Sequence, residues 1–212
     1  MIALARINRA NGCTRSQRTL RLAMPDKDST PENYECGDCT ACCRELIIDV
    51  PGLTKLAGVL CSNCVDGKGC AIYGVRPQAC RDFLCGWRLL PLPEEWRPDH
   101  SQILITQEPA DPDAGIVGGY KFFFFGSLEK IFWRPFLLFV SSLIAADKTV
   151  YIAVPGAAGH CSRMMVITPE PELKEAVANW NYAAIVGIVA GLIQSCLDTP
   201  GDPVVFKNLQ LQ

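Results

Sequence analysis

Cys36-Gly37-Asp38-Cys39-Thr40-Ala41-Cys42-Cys43 opens a fifty-residue stretch that closes on Cys80-Arg81-Asp82-Phe83-Leu84-Cys85, and nine of the chain's 12 cysteines fall inside it. A two-residue gap turns the chain so that both sulfurs face one point, and small or polar residues such as Gly37 and Asp38 suit so tight a turn. Overlapping two such turns converges three or four thiols, more than a redox pair needs. Downstream, Cys61-x2-Cys64 repeats the gap and Cys70 follows the turn glycines Gly67 and Gly69. Pro77, at the first position of a short helix, places Cys80 near an amide-rich end that favours a thiolate. Arg44, Lys68, Arg76, Arg81 and Arg88 are spread through the same stretch. Of these, Arg76 and Arg81 are the bases expected to offset thiolate charge or to donate hydrogen bonds to ligating sulfurs.

A turn-rich stretch of this length cannot bury enough apolar area to overcome its chain entropy, whereas structural zinc contributes on the order of 10–16 kcal/mol of apparent binding free energy to folding. A metal-stabilised module over residues 34–90 is therefore the simplest account. Eight or nine thiols exceed one tetrahedral site. That leaves two mononuclear zinc sites, a binuclear site with bridging thiolates, or an iron-sulfur cluster with spare ligands. Thiolate donors suit zinc and iron alike, and the paired knuckles place Zn2+ slightly ahead of iron or an iron-sulfur cluster.

The remaining composition narrows the function classes. Across 212 residues, 49% hydrophobic content is ample for a core, and 20 basic against 22 acidic residues give a net charge of −2. With no cationic surplus for a phosphate backbone, general nucleic-acid binding is not expected. Phe132 to Ala146 and Tyr182 to Ile193 are apolar but shorter than the ~20 residues a bilayer requires, so no membrane span is expected. Residues 1–33 read as a flexible tail whose five arginines interrupt any secretory signal; Met24 is an alternative start and Cys13 carries no role. The expected location is then cytoplasmic, where a cysteine cluster binds metal or does redox chemistry more often than it forms structural disulfides.

Pro91, Pro93 and Pro98 make residues 91–100 read as an extended, proline-rich connector. Residues 101–212 carry α+β punctuation. Strands are predicted over Ser101–Gln107, Tyr120–Phe125, Lys148–Val154 and Arg163–Thr168, and a helix from near Ser127 or Pro135 to Asp147. One long helix is predicted from near Pro171, with acidic residues at its positive end. Leu173, Val177, Trp180, Ala184 and Gly191 form its apolar stripe, and it is expected to run through the core. Strand-strand-helix, repeated, predicts an α+β fold: a small sheet of about four strands covered by two helices on one face.

Cys36 to Cys43, Cys64, Gly69-Cys70-Ala71-Ile72-Tyr73, Arg76-Pro77 and Cys80 to Cys85 together resemble, in order and spacing, the CxxCxxCC cysteine-cluster family. These are the YkgJ-like proteins described as zinc- or iron-chelating. The likeness covers about a quarter of the chain. It implies a metal centre built from Cys36, Cys39, Cys42, Cys43, Cys64, Cys70, Cys80 and Cys85. Cys61 lies outside the pattern and is a ninth candidate. A similar cluster occurs in flagellin lysine methylases, whose likeness to this chain is confined to the cysteine motif.

Other signals are weaker. His100 and His160 have no partner at ligand spacing and are expected to be structural, Pro155 to Gly159 suffices as a turn, and Cys161 and Cys196 read as small buried apolar residues. No Ser-His-Asp arrangement, paired-carboxylate motif or nucleotide fingerprint stands out, so no catalytic residue is assigned. Three functions compete. The first is a metal-binding protein whose α+β part docks a protein or small ligand. The second is an iron-sulfur electron-transfer or enzyme component, and the third is a thiol redox sensor that releases its metal on oxidation.

Overall fold

The computed structural model describes residues 35–206; the tail, Met24 and Cys13 lie outside the described residues. The fold is mixed α+β. Its centre is one sheet of four strands in the order β5 (Ile103–Glu108), β6 (Gly119–Phe124), β7 (Thr149–Val154) and β8 (Arg163–Val166). β5 and β8 pair antiparallel with their neighbours, while β6 and β7 run parallel. Parallel neighbours cannot be joined by a tight hairpin, and here a 3-10 turn (Leu128–Phe132) and α5 (Arg134–Ala145) make the crossover.

Side chains alternate across a strand, so Ile103 and Ile105, Phe122 and Phe124, and Val150, Ile152 and Val154 share one face of the sheet. All are buried in the core that α5, α6 (Pro171–Ala178) and α7 (Tyr182–Asp198) close with Phe136, Val140, Leu173 and Val189. Leu104, Phe123 and Ala153 point the other way and are equally buried. With both faces covered, the uninterrupted Phe122–Phe125 run is the pattern such a strand requires.

Two helices, α5 and α7, make the main contacts with the sheet, and α6 packs on both of them. The predicted long helix breaks at Asn179–Asn181, where Trp180 takes the left-handed φ of 52° and Asn181 caps α7 by accepting the Ala184 N–H at 3.2 Å. An asparagine at this position satisfies an amide that a continuous helix would have bonded internally, so a new helix begins there. Trp180 consequently sits 79% exposed rather than on an apolar stripe, and Gly191 faces outward.

The cysteine module supplies the other layer. It comprises α1 (Ala41–Glu45), the hairpins β1 (Ile48–Val50) with β2 (Leu53–Lys55) and β3 (Cys64–Val65) with β4 (Gly69–Cys70), then α2 (Gln78–Asp82) and α3 (Gly86–Leu89). Its Leu46 and Cys85 pack on the Leu104–Phe123–Ala153 face. The proline-rich segment is not extended throughout: it forms a 3-10 turn (Glu94–Trp96) and then α4 (Pro98–Ser101). Proline suits the first helical position, and Leu92 and Trp96 hold the segment inward. The Trp96 ring lies 4.6 Å from that of Trp133 and 5.4 Å from that of Phe139, centroid to centroid.

Gly86 opens α3 against β5, where an added Cβ would lie 2.5 Å from the Ile105 side chain. Gly86→Ala is therefore expected to destabilise the protein by about 1–3 kcal/mol through overpacking, read as a lowered urea midpoint with an unchanged m value.

Candidate metal centre

The Cys36–Cys39 knuckle is closed by the Cys39 N–H, which donates to the Cys36 carbonyl at 2.9 Å, with Gly37 in the left-handed region at φ 53°. Gly69 seals it from outside. A Cβ there would fall 2.6 Å from the Gly37 carbonyl oxygen, so β4 runs hard against the knuckle. The Cys61 N–H donates to the Cys43 carbonyl and the Cys64 N–H to the Cys61 carbonyl, each at 2.9 Å. The β3–β4 hairpin sets Cys64 opposite Cys70.

These backbone ties gather the thiols into two adjoining groups. The first centres on Cys43, which has the Cys42 and Cys64 thiols as neighbours, the Cys64 Sγ lying 3.4 Å from the Gly69 carbonyl oxygen. The neighbouring Cys42 thiol and then burial push the Cys43 thiol far above its ordinary range. Cys64 is pushed up to about 12, by burial first and then by Cys43, Cys70 and Cys61 around it. Cys80 is raised by burial and by Cys43, Cys61 and Cys70, against the opposing charge of Arg76.

The second group lines a largely apolar cavity of about 20 Å3, where Cys36, Cys39, Cys42, Cys85 and Arg88 are joined by Ala41, Trp87, Pro98 and Leu104. Its volume matches one small ion or one water molecule. Burial lifts Cys39 to about 12, with the Asp99 carboxylate beside it adding to the rise. Cys85 is also raised, by burial first, with the Arg88 and Trp87 N–H groups opposing and Cys36 reinforcing. Cys42 belongs to both groups, lining the cavity and acting on the neighbouring Cys43 thiol.

Among the described residues, no three histidine, cysteine or acidic side chains already stand as a set that could hold an ion. Two observations nonetheless fit these residues to a thiolate-bound metal. Neighbouring buried thiols oppose one another's ionisation, so they deprotonate together only when a cation enters. The buried Arg76 Nε has no hydrogen-bond partner, although Cys36 and Cys70 are close enough to act on the guanidinium. An unsatisfied buried donor beside sulfurs is matched by a thiolate acceptor. No family model, curated protein or solved structure matches this chain.

The bases divide unevenly. Arg76 stacks over the Tyr73 ring, 3.7 Å from its centroid, and Arg88 Nη1 approaches Cys36 Sγ at 3.8 Å, whereas Arg81 is exposed at the surface. Lys55, which the sequence did not single out, is buried at 8% exposure. His100 lies near Glu94 and Asp99, and His160 Nδ1 is 3.1 Å from the Ala158 carbonyl oxygen. Cys196 is a buried free thiol pushed up to about 11 by burial. Cys161 is also buried, as expected of a small apolar residue.

Arg97 fastens the knuckle to α4. Its guanidinium reaches Asp38, within the Cys36–Cys39 turn, at 2.6 Å, and its Nε donates to Asp99 at 2.7 Å. Burial alone would raise the Asp99 carboxyl, but the hydrogen bond and charge of Arg97 outweigh it and hold the group below its ordinary range. A carboxyl depressed in the folded state stabilises the protein above its unfolded value of about 3.9, and that contribution is lost as pH falls through the lower folded value. Arg97→Met is thus expected to lower the melting temperature at neutral pH, and by progressively less below about pH 4, as calorimetry of both proteins across that window will register.

Proposed function

We propose that this is a metal-binding protein whose cysteine module holds thiolate-ligated zinc. The observation that carries the reading is the folding of nine thiols, from five separate segments, into two adjoining groups that share Cys42. Cys43, Cys61, Cys64, Cys70 and Cys80 offer donors for one ion, and Cys36, Cys39 and Cys85 for a second, with Cys42 available to either. The resemblance to the CxxCxxCC family supports the same set, and Cys61, outside that pattern, is bonded through its backbone to Cys43. The paired two-residue knuckles favour zinc over an iron-sulfur cluster, as the sequence spacing does.

The ion acts here as a fastener. Leu46 and Cys85 cover the second face of the sheet, so an ordered module keeps that face dry. Four thiolates around one divalent cation leave the centre anionic, and Arg76 and Arg88 stand where they offset that charge.

Elemental analysis of anaerobically purified protein tests this directly. Colourless protein containing zinc is the expected result. A brown band near ~400 nm with acid-labile sulfide would instead favour the iron-sulfur reading, that of an electron carrier or enzyme component. Cys39→Ala and Cys43→Ala are each expected to reduce the metal bound per chain, while Cys196→Ala, in the helix-side core, leaves it unchanged. Equal content in all three variants would contradict the ligand assignment.

A further inference from the structure

Lys55 is the one buried lysine among the described residues, and it lies beside Cys42, Cys43 and Cys61. Its Nζ donates to three backbone carbonyls: Arg44 at 3.0 Å, Leu46 at 2.5 Å and Leu56 at 2.9 Å. A neutral amine carries two N–H groups, so three acceptors call for the ammonium form. No carboxylate oxygen among the described residues comes within ion-pair distance of it. Burial opposes its charge, and the titratable groups that face it and favour the charge are the thiols Cys61, Cys43 and Cys42 and the Glu45 carboxyl. A buried cation held only by neutral dipoles is costly unless negative charge arrives beside it.

The three carbonyls are informative in themselves. Arg44 and Leu46 stand at the C-terminal end of α1, the helix that carries Cys42 and Cys43, and Leu56 begins the segment leading to Cys61. A cation at a helix C-terminus satisfies carbonyls that have no internal partner. Here one side chain also ties the two segments together.

We propose that Lys55 is a positioning residue of the metal centre: by clasping the end of α1 and the Leu56 segment, its buried ammonium holds Cys42 and Cys43 against Cys61 and offsets the charge of their thiolates. This rests on the metal-binding reading above. Lys55 touches no metal itself and acts through the cysteines it fixes.

Two variants of the full chain separate charge from packing. Lys55→Gln keeps N–H donors and loses the charge, while Lys55→Arg keeps the charge. Each is titrated anaerobically with Co2+, reading the sulfur-to-cobalt charge-transfer band, and Zn2+ affinity is measured by competition against a chelator of known affinity. The expected result is a loss of about tenfold or more for Lys55→Gln with an altered charge-transfer band, and recovery to within about threefold for Lys55→Arg. Wild-type affinity in Lys55→Gln overturns the proposal, and so does equal weakening of both variants, which would mean that only the shape of lysine mattered. Should the unaltered protein take up neither metal, the metal-binding reading falls and this inference with it.

Discussion

Thiols that share a partly buried space cannot ionise together unless positive charge lies within reach, and the arrangement of residues 36–85 answers that constraint. Burial raises Cys39, Cys43, Cys64, Cys80 and Cys85 alike, and neighbouring thiols add to the rise at Cys43, Cys64, Cys80 and Cys85, so the cluster resists ionising on its own. The protein's own cations are set at its margins. Arg88 approaches Cys36, Arg76 faces Cys36 and Cys70, and Lys55 lies beside Cys42, Cys43 and Cys61.

The module and the sheet depend on each other. Cys85 packs against the core on both faces of the sheet while also lining the cysteine cavity, so an element of the site is an element of the packing. Arg97 adds a polar fastening between the first knuckle and α4, which leads directly into β5. Order in the thiol groups is thereby order in the edge of the sheet.

Much of this architecture is legible in the sequence, and the exceptions have physical causes. The four strands and α5 follow from alternation, from the apolar Phe122–Phe125 run and from Pro135, because burial on two faces leaves a strong pattern. The division between α6 and α7 is hidden, since Asn179-Trp180-Asn181 contains neither glycine nor proline and the apolar residues resume beyond it. The prolines from Pro91 to Pro98 masked two helical turns whose burial is driven by Leu92 and Trp96. In the site, thiols announce themselves by spacing. Lys55, Asp99 and Arg97 do not, because their roles come from folded proximity: Lys55 reaches carbonyls 9 and 11 residues earlier, and Arg97 reaches a carboxylate 59 residues away. Arg81, chosen for its place in the motif, faces outward.

The sheet that covers Leu46 and Cys85 is assembled from strands that all come later in the chain, ending at Val166. A ribosome adding about 5–20 residues per second needs roughly 4–16 s to travel from Cys85 to that point. For those seconds Leu46 and Cys85 have no sheet to pack against, and the module must hold its shape by its own backbone ties.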